Sequence, residues 1–150
     1  MARFSIFGLL ALAGAASAAH ECVWVTGKVI CEHDPSKELN VEVRVYDRDS
    51  TFFLTKFIDP DDMMGVTFTS ESGLFQLDGC GDDFDWLPGL KNRPEPYVQI
   101  RHYCNSAEGE TITLPEFTTF VPDTFEIGEI RLDSPAMRAK LRKDRVEIPK

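Results

Sequence analysis

The chain has 150 residues, 43% of them hydrophobic, enough for one domain with its own core. A formal net charge of -9 argues against a nucleic-acid partner, and no apolar run reaches the ~18 residues that a membrane-spanning helix needs.

The amino terminus reads as a secretory signal. Arg3 supplies the positive start, residues 4–15 the apolar run, and Ala16-Ser17-Ala18 the small-residue cleavage pattern, with Ser17-Ala18-Ala19 one step on. Residues 1–18 are expected to be removed by cleavage after 18 or 19. The product is then secreted and extracellular, with a domain over 20–133 and a basic tail over 134–150.

Strand-length segments follow at short intervals, punctuated by Gly, Pro, Asp and Ser, which predicts an all-β fold. Seven strands are expected, over 23–31, 39–48, 64–69, 74–78, 97–104, 110–114 and 124–133. Val41, Val43 and Val45 alternate with Glu42, Arg44 and Tyr46, the pattern of a strand with one face buried. Val98, Ile100, His102 and Cys104 likewise share a face. In the last strand Phe125 and Ile127 lie on one parity and Ile130 and Leu132 on the other, so a β-bulge at Gly128-Glu129 would turn all four inward. Beyond it, Ser134-Pro135 reads as a helix start and Met137 and Leu141 share a helical face, the pattern of a short helix in a tail rich in Arg and Lys. The plainer expectation for that tail is a frayed, solvated end.

Five segments carry a resemblance: Val25-Thr26-Gly27-Lys28-Val29-Ile30-Cys31, Val43-Arg44-Val45-Tyr46-Asp47-Arg48-Asp49, Ser72-Gly73-Leu74-Phe75-Gln76-Leu77-Asp78-Gly79, Pro96-Tyr97-Val98-Gln99-Ile100-Arg101-His102-Tyr103-Cys104 and Phe125-Glu126-Ile127-Gly128-Glu129-Ile130-Arg131-Leu132. In this order they resemble the nematode transthyretin-like family. The resemblance implies a small secreted β-sandwich of the prealbumin type, acting in extracellular signalling, in binding of a lipid or hydrophobic ligand, or, in a parasite, as an effector delivered to the host. The stretch 105–109 is too short for the helix that transthyretin carries at that place. The loops 50–58 and 84–94 look longer than is usual in the family.

Four cysteines in a secreted chain favour two disulfides. If consecutive strands alternate direction, Cys31 and Cys104 lie at one end of the sandwich and Cys22 and Cys80 at the other. The other pairings would have to span a strand length, far beyond the ~7 Å limit between Cα atoms. Cys22–Cys80 and Cys31–Cys104 are therefore expected, as structural staples. The resemblance adds that Cys31 and Cys104 match family cysteine positions.

His20 falls near the new amino terminus, His33 in a polar turn and His102 on an inward face. His102 reads as a packed histidine bonded to a neighbouring loop, since no Ser or Cys nucleophile sequence surrounds it. The related hydrolases of 5-hydroxyisourate share the sandwich but end in Tyr-Arg-Gly-Ser, whereas this chain ends in Val146-Glu147-Ile148-Pro149-Lys150. The acidic runs at 59–62 and 78–85 lack the spacing of an EF-hand loop. No catalytic residue, cofactor or metal is assigned.

Aromatic loops carry the functional expectation. By strand alternation, three connections emerge at one end, bearing Phe53 and Phe57, then Trp86 and Leu87, then Phe117 and Phe120. These six are the candidate contacts for an extracellular protein or a hydrophobic or lipid ligand. The alternatives are a transthyretin-fold hydrolase of a small cyclic substrate, working around His102 and Arg101, and a structural protein of the extracellular matrix.

Overall fold

The computed structural model describes residues 18–48, 61–84, 93–137 and 139. Among the described residues there are seven strands, β1 (Ala18–Ile30), β2 (Glu42–Asp47), β3 (Asp62–Phe68), β4 (Leu74–Phe84), β5 (Pro96–His102), β6 (Glu110–Thr113) and β7 (Thr124–Arg131), with one 3-10 turn, Pro35–Glu38, between the first two. They form two sheets, ordered β4-β1-β7 and β3-β2-β5-β6. β1 runs antiparallel to β4 and parallel to β7, while all pairs in the second sheet are antiparallel.

The alternation seen in the sequence becomes the core. Val23, Val25 and Val29 of β1, with Phe75 and Leu77 of β4, are buried together with Val43 and Val45 of β2 and Val98 and Ile100 of β5. β-branched side chains dominate this layer because they fill a pleated surface at little rotamer cost.

Two glycines shape the frame. In β7, Thr26 pairs with Glu126 but Lys28 pairs with Glu129, so Ile127 and Gly128 together oppose Gly27. Gly128 sits at φ +77, the left-handed conformation a bulge of this kind uses. Phe125 and Ile127 then pack against the core from one side of the bulge, and Ile130 and Leu132 are buried on the other. In β4, a Cβ on Gly79 would lie 2.8 Å from the Met64 carbonyl oxygen, so the bare glycine lets the edge of β4 press against β3 of the other sheet. The sequence predicts a strand over 74–78, ahead of Gly79 and Gly81. They instead lie inside a strand that runs on to Phe84 and draws β1 back to Ala18.

Cys22 is bonded to Cys80 and Cys31 to Cys104, the two pairs that strand alternation selects. Cys80 is not past the strand but directly opposite Cys22 within the β1–β4 ladder. The other bridge joins the residue after β1 to the segment after β5, and so ties one sheet to the other. The start of the tail is also fixed: Ser134 Oγ accepts a hydrogen bond from the Met137 amide at 3.2 Å, and Met137 packs on the core.

Candidate functional site

Of the six loop residues expected to bind, Phe53, Phe57, Trp86 and Leu87 lie outside the described residues. Phe117 and Phe120 are described, the first buried and the second half-buried. Phe117 is buried and stacks on Phe125, with centroids 4.1 Å apart, and Phe120 packs against the core. The physical reason is that their connection is laced down by its backbone. The amides of Leu114 and Phe117 donate to the carbonyls of Val98 and Pro96, and the Val121 amide donates to that of Cys22, each at 2.9 Å. A segment held so closely against β5 and β1 turns its rings inward.

The ends of β2 and β5 carry a polar clasp next to this connection. Buried Asp47 accepts the Glu95 amide at 2.7 Å, and the Tyr97 hydroxyl donates to Asp61 at 2.6 Å. Arg48 lies over the Tyr97 ring, 5.0 Å from its centroid, and pairs with Glu116. Burial, and then the Asp61 carboxylate, push the Tyr97 phenol above its usual range, so it stays a proton donor.

The outward face of β2 and β5 carries polar and charged side chains. Glu42, Arg44, Gln99, Arg101 and Thr111 line a depression of about 170 Å³. Arg44 pairs with Glu42 at 2.7 Å and donates from Nη1 to the Tyr46 hydroxyl at 3.1 Å. Its hydrogen bonds to Tyr46, then to Glu42, hold the guanidinium more firmly protonated, while its Nε finds no partner among the described residues. Arg101 donates to the Glu108 carbonyl at 3.2 Å and lies over Tyr103. Beside this depression, on β3, Met63, Val66 and Phe68 are 55%, 46% and 56% exposed, and they stand opposite Tyr46, Arg44 and Glu42. Exposed apolar side chains next to arginine and tyrosine form the composition that interface centres favour.

The opposite end is built around Asp133. Its carboxylate, fully buried, accepts the amides of Glu32 at 3.0 Å and His33 at 2.8 Å and lies 2.7 Å from His33 Nδ1. Burial alone would raise this carboxyl, but the hydrogen bonds from His33 and Glu32 outweigh it and bring it down to about 2. His102 is also fully buried, and among the described residues neither ring nitrogen meets a hydrogen-bond partner, so the bond to a neighbouring loop that was expected is not found there. Desolvation pushes its pKa down against the pull of Glu110 and Asp133, so the imidazole stays neutral.

The profile of the transthyretin-like family matches residues 26–122. The chain belongs to the transthyretin-like family. Among curated relatives, Transthyretin-like protein 1 of Caenorhabditis elegans is 28% identical over 123 residues, covering 76% of this chain and 73% of that protein. Transthyretin-like protein 5 is 31% identical over 101 residues, covering 67% and 60%, and protein 16 is 26% identical over 116 residues, covering 74% of each, both from the same nematode. Of solved structures, a 9R-lipoxygenase from Cyanothece aligns over 74% of this chain and 16% of its own at 19% identity, with a TM-score of only 0.39. The transthyretin-like match stops at residue 122, one strand short of the sandwich. It begins after His20 and Cys22, so those two residues lie outside what the family profile covers.

Sequence reasoning missed the exposed row on β3 and the Asp133 clasp. The first was masked by a register shift between Val45 and Tyr46, which changes which side chains of β3 face out. The second joins residues 100 apart in the chain, and only the fold brings them together.

Proposed function

We propose that this transthyretin-like chain is a secreted, non-catalytic extracellular binding protein that engages a protein, lipid or other hydrophobic ligand, and that in a parasite it would serve as a host-directed effector. The observation that carries this reading is the row of Met63, Val66 and Phe68 beside Arg44 and Arg101 on the outward face of the four-stranded sheet. With Phe117 buried and Phe120 half-buried against the core, this face is the best-supported contact surface among the described residues. Apolar side chains standing in water beside fixed cations gain by being covered.

The non-catalytic reading is supported by strand parity in β5, where His102 and Arg101 are adjacent and so project to opposite faces, one into the core and one into solvent. The two disulfides and the signal-like amino terminus support secretion.

The test is crosslinking capture from extracellular fluid of the source animal, comparing the native protein with a Val66→Glu/Phe68→Glu variant. Both positions are exposed, so the variant should keep its fold by circular dichroism. Loss of a specifically captured partner supports the face. A partner captured equally by both forms places binding elsewhere, and turnover of a cyclic substrate that disappears in His102→Gln would overturn the non-catalytic reading.

A further inference from the structure

Among the described residues, one group of metal-ligating side chains converges, and it lies at the edge of the β1–β4 ladder. His20 Nε2 is 3.6 Å from Cys22 Sγ, and the ligand atoms of His20, Cys22 and Cys80 all lie within 4.8 Å of one another. We infer that these three residues form a redox-gated zinc site: reduction of the Cys22–Cys80 bridge by an extracellular dithiol uncovers two thiols that, with His20, take a Zn²⁺ ion.

Strand geometry supplies the convergence. His20 and Cys22 are two apart in β1 and so project from the same face, and Cys80 stands directly opposite Cys22 in β4. In the secreted chain left by cleavage after 18 or 19, the ladder still flanks this pair, with His20 opposite Asp82 and Glu21 opposite Gly81 on one side and pairing on to Lys28 opposite Leu74 on the other. Breaking the S–S bond therefore leaves both sulfurs held in register. Tetrahedral zinc with ~2.3 Å bonds to sulfur needs its two sulfurs about 3.8 Å apart, which side-chain rotation can provide without moving the strands. Two thiolates and one imidazole make a zinc donor set of a familiar kind, with water left for the fourth position.

Exposure selects this bridge for reduction. Cys80 is exposed and Cys22 half-buried, whereas Cys31 and Cys104 are buried. Exposed disulfides are the labile ones, because exchange needs access for the attacking thiolate. A dithiol attacks one sulfur of the bridge to give a mixed disulfide, and its second thiolate then displaces the protein sulfur. Two electrons pass to the bridge, the dithiol becomes a cyclic disulfide, and Cys22 and Cys80 are left as thiols. Zinc then displaces both thiol protons to solvent.

The test uses the purified protein, oxidised or treated with a trialkylphosphine, which is itself converted to the phosphine oxide. Alkylation mapping identifies the cysteines that open, and zinc retained after desalting is measured by elemental mass spectrometry. The expected result is selective opening of Cys22 and Cys80, one zinc retained per reduced chain and none per oxidised chain. His20→Ala, which leaves the bridge and the fold intact, should weaken zinc binding by more than the ~10–100-fold that loss of an outer-shell partner costs. Zinc binding unchanged in His20→Ala, equal binding by the oxidised protein, or no binding after selective reduction would each overturn the proposal.

Discussion

His102 and Asp133 are two fully buried titratable groups on which acid acts over different windows. His102 has a depressed pKa in the fold, so as pH falls below its unfolded value of about 6.5 the unfolded chain takes up a proton that the folded chain refuses. Stability should therefore be constant above that value and decline below it, at no more than about 1.4 kcal/mol per pH unit. Urea midpoints at pH 7.5 and 5.0 check this, and His102→Leu should flatten the difference at a cost under about 1.5 kcal/mol, because the ring loses no hydrogen bond among the described residues. Asp133 acts lower. Its folded pKa of about 2 lies below the ordinary 3.8, so its contribution is complete above 3.8 and is lost as pH falls through 2. Asp133→Ala should cost about 1–3 kcal/mol at neutral pH, since it strands the amides of Glu32 and His33. A neutral result in chemical denaturation would mean that water replaces the carboxylate without loss.

Strand parity carried most of the fold at the level of the element, and it worked wherever one face was plainly apolar. β2 shows this best, where Val43 and Val45 are buried and Arg44 and Tyr46 are not. The bulge in β7 was legible because four apolar residues on mixed parity have only one economical solution, a Gly at φ +77. β3 was not legible. Met64, Val66 and Phe68 share one parity in sequence, yet Met64 is buried and the other two are exposed, because the register shift leaves Met64 as the extra residue. Glycine was ambiguous for a related reason: the same residue type marks a turn at one place and a close backbone approach at another. The two uses predict different penalties. Gly128→Ala has nothing within 4 Å to meet and should cost only the conformational strain of about 1–2 kcal/mol. Gly79→Ala must push back the Met64 carbonyl, and with it the contact between the two sheets, so it should cost as much or more and slow exchange should be lost in the amides of β3 and β4.

Over the whole molecule, the candidate site was less legible than the fold because it depends on which side chains remain after the core is filled. Phe117 and Phe120 have the composition of a binding loop, but the hydrogen bonds that draw their connection onto β5 and β1 cannot be read from composition. The disulfides were legible because their constraint is coarse, a matter of which ends of the sandwich meet. Their contributions to stability should nonetheless differ. The bridges close loops of 58 and 73 residues, and in the chain-entropy picture each contributes about 4 kcal/mol with a difference of only ~0.2 kcal/mol between them. What separates them is the folded state. Cys22 and Cys80 lie at the surface within a ladder that continues on both sides, while Cys31 and Cys104 are buried and tie one sheet to the other. Replacing Cys31 and Cys104 with alanine should therefore lose the entropic term and leave a cavity in the core, exceeding the loss from the Cys22→Ala/Cys80→Ala variant by about 1–3 kcal/mol in guanidinium unfolding. Equal losses would show that the sheets stay together without the inner bridge, with the shared core of Val25, Leu77, Val45 and Ile100 sufficient to hold them face to face.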